Sequence, residues 1–148
     1  QRAPDESRAG ASAAAPLPGR GHHGGDDRLD LPHHAGKTQR PADDLLASGK
    51  YMYCLFFHHL ALEKALKALV LQKGKELVYT HKLVALAKIS DLPLTDEQIR
   101  DLSRITDFNI EARYDDYKSE FYKTATLDFT QEWAHKCNEL YTLIIKRI

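Results

Sequence analysis

The sequence predicts an all-α fold, an up-and-down bundle of four or five helices, and three observations carry that prediction. Apolar residues recur at spacings of three and four in several separate stretches. No stretch alternates with the period of two that a half-buried strand requires. The connections between the periodic stretches are short, which sets successive helices side by side.

The organising stretch is Tyr51 to Gly74, YMYCLFFHHLALEKALKALVLQKG, too apolar for a surface and too charged to cross a membrane. At about 100° per residue, Tyr51, Met52, Leu55, Leu62, Leu66, Leu69 and Val70 share one sector, with Cys54, Phe57, Ala61, Ala65 and Ala68 beside it. Glu63, Lys64 and Lys67 hold the remaining sector, but Tyr53, Phe56, Leu60 and Leu71 lie among them. A face meant only for water does not carry that mixture. Phe56, Leu60, Glu63, Lys64 and Lys67 are therefore expected to form an interface between copies of the chain, with Lys64 and Lys67 also placed to meet a phosphate. Of His58 and His59, one is expected to join this face and the other to point into the core.

The other elements follow in order. Residues 1–40 contain no aromatic residue and few branched aliphatic ones, so they read as a disordered or non-native tail, with the bundle domain spanning 41–148. The pairs His22, His23 and His33, His34 lie in that tail, and no metal site is assigned to them. A short helix begins at Pro41, with Asp43 and Asp44 near the positive end of its dipole and Gly49 as its stop. A third helix is expected over about 81–89, capped by Thr80, with Leu83, Leu86 and Ala87 inward. Thr95 and Gln98 make a capping box for a fourth, which carries Ile99, Leu102, Ile105 and Ile110 inward, Arg100 and Arg104 outside, and ends near Ala112. RYDDYKSEFY, 113–122, shows four rings among charges without a period and reads as a loop anchored by those rings. The last helix runs from about Leu127, with Trp133, Cys137, Leu140, Tyr141, Ile144 and Ile148 on its apolar face.

Composition narrows the function. Formal net charge is zero, so an affinity for nucleic acid must come from a local basic patch rather than from a global field. Two unpaired cysteines at apolar helical positions fit a reducing compartment, and no segment reads as a membrane span or signal core, so a cytoplasmic location is expected. No phosphate-binding glycine loop, nucleophile elbow or close-set metal motif is present in 41–148, and no cofactor is expected.

Three stretches in order, the apolar lead into LEKALKAL at Leu62 to Leu69, THKL at Thr80 to Leu83, and FNIEARYDDY at Phe108 to Tyr117, resemble the HEPN domain of prokaryotes. The resemblance runs from about Ala42 to the C-terminus. It implies a five-helix bundle, a dimer or higher oligomer, and a gene often found beside a minimal nucleotidyltransferase in toxin–antitoxin pairs. It also implies a family with many ribonucleases, whose members place a His about four to six residues after an Arg, one to two helical turns on. Here Arg113 is followed by Tyr114, Asp115, Asp116, Tyr117, Lys118, Ser119 and Glu120, with no His in reach. Arg28 with His33 and His34 has the spacing, but lies in the tail, where side chains are not held in register.

The expected function is accordingly an interaction module that self-associates and binds a nucleotidyltransferase-type partner, a nucleotide or RNA, rather than an independent enzyme. Lys64, Lys67 and Arg113 are its candidate phosphate contacts, and His81, at a helix start, a structural histidine. Arg113 with Asp115 and Asp116 reads as a set of ion pairs fixing a loop. The alternative is a divergent ribonuclease using Arg113 with Asp115, Asp116 or a histidine brought from elsewhere, such as His59 or His81.

Overall fold

A computed structural model of the protein describes residues 41–148, and the tail reading of 1–40 lies outside the described residues. Among the described residues there are six helices and no strand: α1 (41–47), α2 (Tyr51–Gln72), α3 (Leu83–Ile89), α4 (Asp96–Arg113), α5 (Asp115–Thr124) and α6 (Leu127–Ile145). α2 is the axis of the bundle and touches α3, α4, α5 and α6. Of its 22 residues, 13 are buried, so it can be wet along only a narrow strip.

The helix ends follow from local chemistry. Gly49 and Gly74 adopt φ of 78° and 71°, a region that costs glycine little, and each closes a C-terminal turn. The Lys50 amide then reaches the Leu45 carbonyl and the Lys75 amide the Val70 carbonyl. Asp91 makes the same left-handed turn after α3 and is ion-paired to Lys75 of the preceding connector. α4 starts on a complete capping box, Thr95 with Gln98, as its sequence predicts.

The expectations for three of the helices need correction. The stretch expected to be a loop is mostly α5, set off from α4 by the single extended residue Tyr114 and started by Asp115 and Asp116 at the positive end of its dipole. Only Phe121 of α5 is buried, while Tyr117 and Tyr122 are exposed, so the helix has no apolar stripe for a periodicity reading to find. The third helix begins at Leu83 rather than His81. Its cap residue is Lys82, the Thr80 hydroxyl instead accepts from the Lys82 amide, and the Leu83 amide is satisfied across the bundle by Thr106 Oγ1 of α4 at 3.2 Å. Ile110 is 43% exposed, whereas Phe108, Asn109 and Ala112 of α4 are buried. Successive positions 102, 105, 109 and 112 stay on one side of a helix, and 110 does not.

The core is continuous from Leu55, Leu62, Leu66 and Leu69 of α2 through Leu83 and Leu86 of α3 and Leu102 and Ile105 of α4 to Cys137, Leu140 and Ile144 of α6. Its aromatic end is built on Phe108. That ring stacks on Phe121 at 5.5 Å, meets Trp133 edge-on at 5.5 Å and Phe129 at 6.1 Å, and lies under the Arg104 guanidinium at 4.8 Å. Arg104, expected on the outside, is thus half-buried and also bonded to Glu111 at 2.8 Å. α4, α5 and α6 are joined through this one cluster.

Candidate functional site

The polar centre of the molecule lies on α2, where His59, Glu63 and Lys67 follow one another at four-residue spacing and so share one strip of the helix. Glu63 is only 6% exposed. Its Oε1 accepts from Lys67 Nζ at 2.7 Å and from His81 Nδ1 at 3.0 Å. Burial pushes the Glu63 carboxyl up, but those two hydrogen bonds, with the charge of Lys67, outweigh it and hold the group below the usual carboxylate range. An anion beneath the surface is thereby fixed in place.

His59 is fully buried, and its Nε2–H donates to the backbone carbonyl of His81 at 3.1 Å. That bond assigns the proton of the neutral ring to Nε2, and leaves Nδ1 3.7 Å from Glu63 Oε2. Burial lowers the imidazole, against the bond to His81 and the charge of Glu63, so the ring is held neutral. His58 is also buried and also lowered, by burial first, with Asp43 opposing. Both histidines are therefore interior, where the sequence places only one. The connector between α2 and α3 is pinned to α2 twice at residue 81, through its backbone by His59 and through its side chain by Glu63.

Beside this network is a groove of about 580 Å³ between the connector and α4. Thr80, His81 and Lys82 line one wall, and Ser103, Asp107, Asn109 and Arg113 contribute to the other. Arg113, which also lines the groove, is exposed and its guanidinium stands 5.3 Å from the Phe56 ring centroid, so an aromatic of α2 braces this cation. Asn109 is 6% exposed, and its buried Oδ1 has no hydrogen-bond partner among the described residues.

The residues singled out in sequence are distributed unevenly over this site. Arg113 and His81 come together in the groove, from stretches far apart in the chain. Lys67 turns its ammonium inward to Glu63, and Lys64 is half-buried on α2 away from the groove lining. Phe56 and Leu60 are half-buried, while Glu63 lies beneath the face they form. Asp115 and Asp116 are exposed in the first turn of α5, and among the described residues neither pairs with Arg113. Lys82 and Asn109 are groove residues that the sequence reading does not single out. Of this network, the sequence makes readable only the Glu63 and Lys67 pair, an acid four residues before a lysine on a helix; the neutral His59 and the burial of Glu63 come from the fold.

The chain matches the HEPN domain over residues 30–148. It belongs to the HEPN family. The crystal structure of TT1696 from Thermus thermophilus has the same fold, with a TM-score of 0.70 and 21% identity over 82% of this chain and 98% of that one. Comparison with curated proteins finds no match. As a HEPN domain the chain is a helical module, and among the described residues no helix is long and apolar enough to cross a membrane. Nor is any group of three or more His, Cys, Asp or Glu among the described residues placed to hold a metal ion. The two free thiols of this HEPN domain are buried, and burial, with Asp43 adding, pushes Cys54 up to about 12, so neither is an available nucleophile.

Proposed function

We propose that this HEPN domain is an interaction module that binds the phosphate of a nucleotide or RNA in the groove between Thr80 and Arg113. The observation that carries the reading is the meeting of Lys82 and Arg113, from opposite walls, in one cavity large enough for a small ligand. An arginine held by a ring below it presents its planar fork to a phosphate without first losing much freedom. Titrating the full chain with adenosine nucleotides by calorimetry is expected to show saturable binding. Arg113→Ala is expected to weaken it at least about tenfold, which corresponds to about 1.4 kcal/mol, the lower range of one charged hydrogen bond. Heat of dilution alone from the parent would reject the reading.

The module is proposed to self-associate through the outer strip of α2. Phe56 and Leu60 are half-buried there, Tyr53 is exposed, and Arg113 and Lys118 lie over the Phe56 and Tyr53 rings. Leaving such rings wet forgoes about 25 cal/mol per Å². In sedimentation at high micromolar concentration the parent is expected to run as a dimer or larger and Leu60→Glu as a monomer; a monomeric parent would reject the interface. The partner class proposed is a minimal nucleotidyltransferase in a toxin–antitoxin pair, on the strength of the resemblance in LEKALKAL, THKL and FNIEARYDDY.

The divergent-ribonuclease reading is favoured by one observation, that His81 shares the groove with Arg113. Against it, His59 is buried and bonded to a backbone carbonyl, so the groove offers one reachable imidazole. General acid–base help contributes about a hundred- to ten-thousand-fold, and cleavage of a phosphodiester draws on both an acid and a base. Labelled single-stranded RNA incubated with the protein, with and without Mg²⁺, is expected to stay intact. Cleavage that Arg113→Ala abolishes would establish the nuclease instead.

A further inference from the structure

We propose that Nε2 of His81 is a phosphoryl acceptor, receiving the terminal phosphoryl group of a nucleoside triphosphate held in the groove. The proposal rests on the nucleotide-binding reading above and adds a covalent modification to it. Glu63 is buried and anionic, and accepts from His81 Nδ1 at 3.0 Å, so the proton of the neutral ring belongs to Nδ1 and the lone pair to Nε2. Nε2 has no hydrogen-bond partner among the described residues, and the side chain is 43% exposed. A carboxylate behind an imidazole, fixing its tautomer and steadying the positive charge that develops, is the arrangement that makes the far nitrogen reactive.

The surroundings favour attack on phosphorus over acid–base work. Lys82 and Arg113 line the same groove and supply positive charge for a phosphoryl group's oxygens. His59 is unavailable as a second proton carrier, because its Nε2–H is bonded to the carbonyl of residue 81 in the interior. A nucleophile needs no second carrier. In the step, the Nε2 lone pair forms a nitrogen–phosphorus bond to the γ-phosphorus, and the bond from that phosphorus to the β–γ bridging oxygen breaks. The oxygen leaves with the electron pair as part of the nucleoside diphosphate. The Nδ1 proton stays in its hydrogen bond, and the ring's new positive charge faces the Glu63 carboxylate.

The test incubates the full chain with Mg²⁺ and adenosine triphosphate labelled at the γ position or, separately, at the α position. Label is expected from the γ position alone, on the peptide containing His81, lost in acid and kept in base as a phosphoramidate is. Locating the label by mass spectrometry on the parent protein makes the result independent of whether any variant folds. His81→Gln is expected to abolish labelling, and Glu63→Gln to slow it on the order of a hundredfold or more, as loss of an imidazole-orienting carboxylate does. Nucleotide binding is measured on the same samples. Binding without label overturns this proposal and leaves the binding reading intact; no binding overturns both. Label from the α position, or an acid-stable label on Tyr79 or Thr80, overturns it as well.

Discussion

Phe108→Ala is expected to cost about 3–5 kcal/mol of unfolding free energy, the range for emptying a buried aromatic site. Phe108 is fully buried, and four side chains from three helices lean on it: Phe121 of α5, Phe129 and Trp133 of α6, and Arg104 of its own helix. Their rings are large and held by one another, so the cavity can close only by moving α5, which has no other buried residue. Urea titration followed by circular dichroism measures the loss. A value under about 1.5 kcal/mol, the cost of a tolerated core swap, would mean that α5 is not anchored through this ring.

That cluster also shows where the sequence is legible. The helices with several buried positions, α2, α4 and α6, announce themselves by period, and Leu62, Leu102 and Leu140 lie in the core as their spacing requires. α5 contributes one buried ring in ten residues, so its period has nothing to register. Placing Ile110 inward weighs its apolarity above the 102, 105, 109, 112 progression, and the progression is what the packing follows. In the site, Arg113 is readable as an arginine leading an aromatic run. Glu63 reads in sequence as half of a surface ion pair, since a four-residue spacing gives no burial; what buries it is the connector that returns His81 over it. Lys82 enters the groove only through the fold, as part of a connector whose path no local pattern dictates.

Acidification is expected to destabilise the protein well before its carboxylates titrate. His58 and His59 are both held neutral by burial, so their folded-state values lie below the ordinary 6.5. As pH falls through 6.5 the unfolded chain takes up protons at these two rings that the folded chain does not, and stability falls until the folded-state values are reached. Each ring contributes about 1.4 kcal/mol per pH unit within that window. Glu63 acts in the same direction lower down. Its folded-state value is depressed, so its contribution is present above the unfolded value near 4.5 and is lost as pH falls through the folded one. Guanidinium titrations at pH about 7.5 and about 5.5 are expected to differ by more than about 1 kcal/mol, with the lower pH less stable. His59→Gln is expected to shrink the difference. Equal stability at the two pH values, or greater stability in acid, would mean that these rings take up protons in the folded state and that the network is charged differently.

The groove's role as a phosphate site is tested most directly by mapping where a nucleotide touches the chain. Amide chemical shifts of the isotopically labelled protein, followed during titration with an adenosine nucleotide at constant ionic strength, report each position separately. The expected result is saturable displacement of residues 80–84 on the connector and α3 and of residues 103–114 along α4, with α6 unmoved. Displacements confined instead to the cavity around Lys50, Tyr53, Tyr122 and Lys123, or none at all, would contradict the assignment of the Lys82 and Arg113 groove as the ligand site.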